Sequence, residues 1–211
     1  PKQMPQFKSR KVGIIGTGSS AVQSIPVISN TAEALLVFQR TPNFSLPARH
    51  RDLPKDKREE YKKNYKKYRQ LAKNSSFGIA KYQPPTKSTF DVSEEERNVI
   101  YEKAWQEGGQ AMLFAFTDLL TNEKANETAA EFVRNKIRKI VTNKETAEKL
   151  CPSNHPIGTK RLCLDSNYYE TYNKTNVSLI DISNHPIEKV TEKGLITNNI
   201  EYFFDDLVFA T

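Results

Sequence analysis

Three closely spaced small residues near the start of the sequence carry its clearest chemical signal. Gly16, Gly18 and Ala21 stand at the spacing G-x-G-x-x-A. There the first glycine permits a tight turn, the second lets backbone amides approach a pyrophosphate, and the small third residue lets a helix pack close to its strand. The N-terminus of that helix adds free N–H groups and a partial positive charge. The pattern predicts a dinucleotide site, with a purely structural turn as the alternative, and its residues are Gly16, Thr17, Gly18, Ser19, Ser20 and Ala21.

The residues that follow the second predicted strand indicate which dinucleotide is bound. NAD sites usually carry an Asp or Glu there, which accepts a hydrogen bond from the ribose 2′-OH. This sequence has Arg40 and Thr41 instead, with no carboxylate near them. A guanidinium can bind a phosphate through two hydrogen bonds, and a hydroxyl can donate another. The pair therefore predicts NADPH, against the alternative of an arginine that is merely on the surface.

Two adjacent cations later in the chain are less specific. Lys160 and Arg161 lie in the run Pro156-Ile-Gly-Thr-Lys-Arg-Leu162, which has the composition of a loop. Composition alone favours solvated surface charge. The functional interpretation is that this loop returns to the sheet and places both cations beside an anionic cofactor.

The segments that must position these residues form an α/β pattern. The sequence predicts a buried strand at 11–15, a helix at 22–28 and a second buried strand at 35–38. Such a βαβ unit implies a parallel sheet. Further strands are predicted at 176–182 and 207–210, and short antiparallel strands at 187–190, 195–197 and 200–203.

A helical, charged segment separates the two α/β parts. We therefore predict a Rossmann-like parallel sheet with a small antiparallel segment and a long helical insertion. The predicted domains are 1–48 for the first part of a dinucleotide-binding domain, 49–150 for the insertion and 151–211 for the second part.

Within the insertion, several patterns predict individual helices. One apolar stripe that should pack against a core consists of Tyr61, Tyr65, Tyr68, Leu71 and Ala72. Ser93 and Glu96 fit a capping box, and 112–120 reads as an apolar helix. Thr142 with Glu145 fits a second capping box.

Composition excludes several other classes. The formal net charge of +7 suggests a polyanionic partner, without indicating which one. No apolar run approaches the roughly 20 residues that span a bilayer, so a membrane-spanning segment is not predicted. Cys151 and Cys163 are expected to be reduced thiols of a cytoplasmic protein, and the three histidines have no metal-ligand spacing. We expect no metal, no membrane and no signal for secretion. The first residue is Pro1, which hints at a piece of a longer chain.

Several segments together resemble the Baeyer–Villiger monooxygenases, flavin enzymes of the cyclohexanone and phenylacetone monooxygenase type. They are Gly16-Thr-Gly-Ser-Ser-Ala21, Phe38-Gln-Arg-Thr-Pro-Asn-Phe44, Ile157-Gly-Thr-Lys-Arg161, Asp165-x-x-Tyr-Tyr-Glu170 and Val208-Phe-Ala-Thr211. The match runs in order over nearly the whole chain, including the helical insertion. The Arg-Thr-Pro and Gly-Thr-Lys-Arg segments are more specific than the glycine turn.

The resemblance implies the NADPH-binding domain of an enzyme that inserts one oxygen atom of dioxygen into a ketone. It assigns Arg40, Thr41 and Lys160 to the 2′-phosphate and Arg161 to a catalytic, electrostatic role. FAD would be bound by an FAD domain of the same chain, outside these residues, because no second glycine turn is present. The family's F-x-G-x-x-x-H-x-x-x-W signature, which in the family lies upstream of this domain, is absent too. Because they lack an FAD site, these residues alone are expected to be inactive.

Two alternative functions remain at this point. The first is the NADPH domain of an N- or S-oxygenating flavin monooxygenase. The second is a nucleic-acid-binding module built on the Tyr- and Lys-rich segment 55–73, because aromatic and basic side chains can bind single strands. The tyrosines of this segment fall on the single apolar stripe described above, which is typical of packing against a core and disfavours the second function. No nucleic-acid partner is therefore expected.

Overall fold

The predicted βαβ unit lies at the centre of a four-stranded parallel sheet. The computed structural model describes residues 6–75, 78–82 and 84–210. Its strands are β1 (Lys11–Ile15), β2 (Ala34–Gln39), β3 (Ser45–Pro47), β4 (Cys163–Asp165), β5 (Val177–Asp181), β6 (Ile187–Val190), β7 (Gly194–Thr197), β8 (Ile200–Phe203) and β9 (Asp206–Phe209). Its α-helices are α1 (Ser19–Ser29), α2 (Lys55–Lys63), α3 (Tyr65–Lys73), α4 (Glu94–Glu107), α5 (Glu123–Ile140), α6 (Lys144–Leu150) and α7 (Tyr168–Thr171).

The order of the main sheet is β5-β2-β1-β9, and all its neighbours are parallel. Ile15 pairs with Phe38 on β2 and with Phe209 on β9, so these strands end at one edge of the sheet. The two central strands are apolar on both faces, and Val12, Ile14, Leu35 and Val37 are fully buried. This is the pattern of a parallel sheet that is covered on both sides.

A second, antiparallel sheet of order β6-β7-β8 packs against the parallel one. Phe38, Ile182 and Leu195 form the buried contact, and the Phe38 ring meets the Tyr202 ring edge-on at 5.5 Å. Gly13 allows close approach here, because a Cβ atom at this position would lie 2.8 Å from the Phe204 ring. The predicted fold class, a parallel α/β sheet with a small antiparallel segment and several helices, is confirmed.

A two-stranded parallel sheet, β3 with β4, is a feature that the sequence did not predict. Its strands have three residues each, too few to show a period of two. The pairing matters because β3 follows the Arg40–Thr41 loop and β4 follows the Lys160–Arg161 loop. Asp165, which had no role in the sequence, accepts a hydrogen bond from the Tyr168 amide at the start of α7.

The tyrosine stripe of the helical segment is not packed against a core, so that prediction was wrong. Helices α2 and α3 contain no buried residue, and Tyr61, Tyr65 and Leu71 are 44%, 63% and 40% exposed. The pattern is divided because α2 ends at Lys63 and α3 begins at Tyr65. Tyr68 instead packs edge-on against Tyr61 and donates a hydrogen bond to Glu60.

Two further helix predictions need correction, and one holds. Segment 112–120 contains only a 3-10 helix, Ala111–Phe114, followed by turns. The cap of α6 is Asn143, whose side chain accepts from the Thr146 amide, rather than Thr142. At α4 one half of the predicted capping box is confirmed, because the Ser93 side chain accepts a hydrogen bond from the Glu96 amide at 3.2 Å, whereas the Glu96 carboxylate accepts from Lys87 instead.

The chain divides into two compact units. One comprises the residues up to Pro47 together with those from Ala130 onward, and the other is Ala48–Ala129. Helix α5 thus begins in the second unit and continues in the first. The predicted division into 1–48, 49–150 and 151–211 stays a prediction. Among the described residues, no helix combines the length and the apolar character that crossing a membrane requires.

Replacing Ser93 tests the cap of α4. Ser93→Ala leaves the Glu96 amide without its acceptor and should lower the free energy of unfolding by about 1 kcal/mol. Ser93→Asn keeps an acceptor and should stay within about 0.5 kcal/mol of the parent chain. Urea unfolding followed by circular dichroism measures both variants. Equal losses in the two would contradict the role of the cap.

Candidate dinucleotide site

The glycine turn leaves the sheet directly after β1. Gly16 has a φ of 115°, a conformation that side chains rarely adopt, which explains a glycine here. Its amide donates to the Phe38 carbonyl at 3.1 Å, and the Ala210 amide donates to the Ile15 carbonyl at 2.9 Å. These hydrogen bonds join the start of the turn to both neighbouring strands and hold it at the carboxyl edge of the sheet.

Gly18 is the N-cap of α1 and has ordinary extended backbone, with φ −83° and ψ −171°. Its conformation therefore does not require glycine. Apart from its chain neighbours, a Cβ atom at this position would meet no atom of the described residues within 4 Å, so the space beside it is open. No side chain of the described residues caps the helix, which leaves first-turn N–H groups available to an anion. Open space next to unpaired amides fits a pyrophosphate.

A cavity of about 580 Å³ lies in front of this turn. Six of the ten predicted site residues line it, namely Gly16, Thr17, Gly18, Arg40, Thr41 and Lys160. Ser19, Ser20 and Ala21 belong to the first turn of α1 and are not among the residues that line the cavity. Arg161 is exposed and does not line it either.

The polar part of the cavity wall is positively charged. Arg40 and Lys160 are exposed, and neither side chain forms an ion pair or a hydrogen bond with the residues that the structure describes. No carboxylate occurs among the described residues of the wall. The two charges are therefore available to an anionic ligand. A 2′-phosphate fits this wall better than a 2′-OH, which would need a carboxylate partner.

Apart from Asn43, the rest of the wall is apolar, and the sequence did not predict it. It is formed by Ile15, Phe38, Ile182, Pro186 and Ile187. Ile182 directly follows β5, the strand beside β2, so it lies at the same edge of the sheet as Arg40. The sequence predicted that strand but not its place in the sheet. Knowledge of the strand order would have identified Ile182.

Three hydrogen bonds join the segments that carry the candidate residues. The Thr17 hydroxyl donates to the Thr41 carbonyl at 2.7 Å. The Asn43 amide donates to the sulfur of Cys163 at 3.2 Å, and the Ser19 hydroxyl lies 3.6 Å from that sulfur. The glycine turn, the loop after β2 and the start of β4 are thereby connected. Asn43 also lines the cavity, and the sequence had not singled it out.

His155 adds no charge to this region at neutral pH. Burial and the positive charge of Lys160 lower the pKa of its imidazole, and its ring meets Phe44 edge-on at 5.4 Å. Both cysteines are free and buried. Among the described residues, no group of three His, Cys, Asp or Glu side chains could hold a metal ion.

The chain is similar over nearly its whole length to part of several monooxygenases. No protein-family model matches it. It is 40% identical over 97% of its residues to 2-oxo-Δ3-4,5,5-trimethylcyclopentenylacetyl-CoA monooxygenase of Pseudomonas putida. It is 39% identical to a phenazine N-monooxygenase of Lysobacter antibioticus and 37% identical to a Baeyer–Villiger monooxygenase of Pseudooceanicola batsensis, over 97% of its residues in each case. The chain spans 38% of the length of these relatives.

Solved structures agree with the sequence matches. An oxidised steroid monooxygenase bound to NADP is 45% identical, with a TM-score of 0.94 over 100% of this chain and 40% of its own. The complex of OTEMO with FAD and NADP is 39% identical, with a TM-score of 0.95 over 98% of this chain and 38% of its own. At these identities and scores, the fold of the chain is that of a segment of these enzymes.

The two glycines of the turn should respond differently to alanine. Gly16→Ala forces a side chain into a positive φ and should lower the free energy of unfolding by about 1–3 kcal/mol. Gly18→Ala fits its backbone and meets no atom, so its cost should stay below about 1 kcal/mol, from weaker capping alone. Urea unfolding measures both. A larger loss at Gly18 than at Gly16 would contradict the geometry of the turn.

Proposed function

The chain corresponds along its length to a segment of the Baeyer–Villiger monooxygenases, and we propose that it is the NADPH-binding domain of such an enzyme. One observation carries the proposal. Arg40 and Lys160, two cations without an ion-pair partner among the described residues, border the cavity in front of the glycine turn together with Thr41, and the described wall contains no carboxylate. This arrangement suits a dinucleotide with an additional 2′-phosphate.

Each part of the cavity would hold one part of NADPH. The backbone of Gly16, Thr17 and Gly18 and the N-terminus of α1 would bind the pyrophosphate, because unpaired amides and the helix dipole favour an anion. Arg40, Thr41 and Lys160 would bind the 2′-phosphate through charge-assisted hydrogen bonds. Ser19, Ser20 and Ala21 would contribute through the first helical turn, where the small Ala21 is fully buried.

The proposed reaction of the whole enzyme inserts one oxygen atom of dioxygen into a ketone and gives an ester or lactone. NADPH supplies the reducing equivalents, and FAD, bound outside these residues, carries out the oxygen chemistry. Support comes from the ketone monooxygenases among the similar proteins, such as a cyclohexanone 1,2-monooxygenase of Acinetobacter, 38% identical. Arg161 is proposed as a fixed cation that stabilises developing negative charge. Its exposure leaves it free to face parts of the enzyme beyond these residues.

N-oxygenation is the second candidate reaction, because one relative is named a phenazine N-monooxygenase. Both reactions would use the same NADPH domain. Assays of the full-length enzyme with a cyclic ketone and with phenazine separate them, by the formation of a lactone or of an N-oxide. We expect the lactone, and an N-oxide without any lactone would overturn the ketone assignment.

Removing the two cations tests the choice of cofactor. The chain should bind NADP⁺ more tightly than NAD⁺ in isothermal titration calorimetry. Arg40→Gln and Lys160→Gln should each weaken NADP⁺ binding about 10- to 100-fold, because each removes a charge-assisted hydrogen bond of about 1.5–3 kcal/mol. NAD⁺ binding should hardly change. Lys139→Gln removes an exposed cation outside the cavity and is the matched control. Equal affinities of the parent chain for both dinucleotides would refute the assignment.

Gly18→Ala tests the pyrophosphate site separately. A methyl group there occupies the open space beside the turn, so binding of NADP⁺ and NAD⁺ should weaken by the same factor, about tenfold or more. The same calorimetry measures both dinucleotides. Unchanged binding of both would show that the pyrophosphate does not approach Gly18.

A further inference from the structure

The hydroxyl of Thr17 has one hydrogen to donate, and the structure shows where that hydrogen goes. Oγ1 donates to the Thr41 carbonyl at 2.7 Å, across 24 residues of sequence. A hydroxyl has a single donor, so this side chain has none left for a phosphate oxygen. Thr17 is only 6% exposed although it lines the cavity. Its side chain therefore acts on the loop after β2. Any effect of this side chain on anion binding is indirect and arises from the position of that loop.

Apart from this bond and the one from the Asn43 side chain to the Cys163 sulfur, that loop has few attachments to the described residues. Strand β2 ends at Gln39, whose carbonyl accepts from the Ile182 amide, and the next main-chain attachment is the Phe44 carbonyl, which accepts from Cys163. Between them, the Thr41 carbonyl is the one main-chain group of residues 40–43 with a hydrogen-bond partner among the described residues. Arg40 and Thr41 belong to this stretch. The hydroxyl of Thr17 thus fastens it at the point where the 2′-phosphate would bind.

We propose that Thr17 is a positioning residue that sets the preference for a 2′-phosphorylated dinucleotide by fixing Thr41, and with it Arg40, against the glycine turn. The inference rests on the proposed function. A loop that is ordered before binding loses less conformational freedom when the ligand arrives. Only ligands with a 2′-phosphate use Arg40 and Thr41. The ordered loop therefore raises the affinity for these ligands, and it does not strengthen the contacts to the parts that NADP⁺ and NAD⁺ share.

The test compares Thr17→Val, which keeps the shape but removes the donor, with Thr17→Ser, which keeps the donor. Affinities for NADP⁺ and NAD⁺ are measured by calorimetry, and those for 2′,5′-ADP and 5′-AMP in parallel. Thr17→Val should reduce the NADP⁺ to NAD⁺ affinity ratio about three- to tenfold, the worth of one hydrogen bond. The 2′,5′-ADP to 5′-AMP ratio should fall by a similar factor. Thr17→Ser should restore both ratios to within about twofold of the parent chain.

Thr171→Val is the matched control. Thr171 is 2% exposed, lies in the same compact unit and donates to the Asn167 carbonyl at 2.6 Å, away from the cavity. Removing the Thr171 hydroxyl should leave the NADP⁺ to NAD⁺ affinity ratio and the 2′,5′-ADP to 5′-AMP affinity ratio unchanged. If Thr17→Val does not fold, Thr17→Ala removes the same donor and carries the same expectation.

The outcomes separate this inference from the proposed function. A parent chain without preference for NADP⁺ refutes the proposed function itself. A parent preference that Thr17→Val leaves unchanged refutes the inference alone. Loss of NADP⁺ and NAD⁺ binding by one common factor also refutes it, because Thr17 would then serve the shared pyrophosphate site or the fold in general.

Discussion

The parallel pairing of β1 with β2 is the constraint on which the candidate site depends. Because parallel strands end at the same edge, the turn after β1 and the loop after β2 emerge side by side. The Gly16 amide bonded to the Phe38 carbonyl and the Thr17 hydroxyl bonded to the Thr41 carbonyl continue this contact beyond the strands. An antiparallel arrangement of the same two strands would put Arg40 at the opposite edge from the glycine turn.

The third segment reaches the site through the short sheet of β3 and β4. Lys160 is separated from Arg40 by 120 positions in the sequence, yet both line one cavity. Parallel pairing of Ser45 with Cys163, and the hydrogen bonds of Asn43 and Ser19 to the sulfur of Cys163, bring the later loop back. A buried cysteine thus serves as a hydrogen-bonding junction between the segments.

Net charge is a poor guide to this site. Residues 49–73 contain eleven basic and four acidic side chains, which accounts for the whole formal excess of +7. The cations of the cavity lie outside that segment. In the proposed function they are available to an anion because they have no ion-pair partner among the described residues and because the described cavity wall contains no carboxylate. Position and pairing therefore matter more for anion recognition than the total charge.

The sequence was most informative where geometry is local. Neighbouring residues alone predict three features, namely the turn at Gly16 and Gly18, the strand at 11–15 and the cap at Ser93. The structure contains all three. The exposed tyrosines of α2 and α3 and the apolar wall at Ile182 could not be predicted, because both depend on which segments meet in space. The bond from Thr17 to Thr41 is of the same kind, since a spacing of 24 residues gives no local pattern.

The most direct measurement is a crystal structure of the chain with NADP⁺ bound. We expect the pyrophosphate at the amides of Gly16, Thr17 and Gly18, and the 2′-phosphate within hydrogen-bonding distance of the Arg40 guanidinium and the Lys160 ammonium group. A 2′-phosphate that points into solvent, or a dinucleotide bound away from the glycine turn, would contradict it.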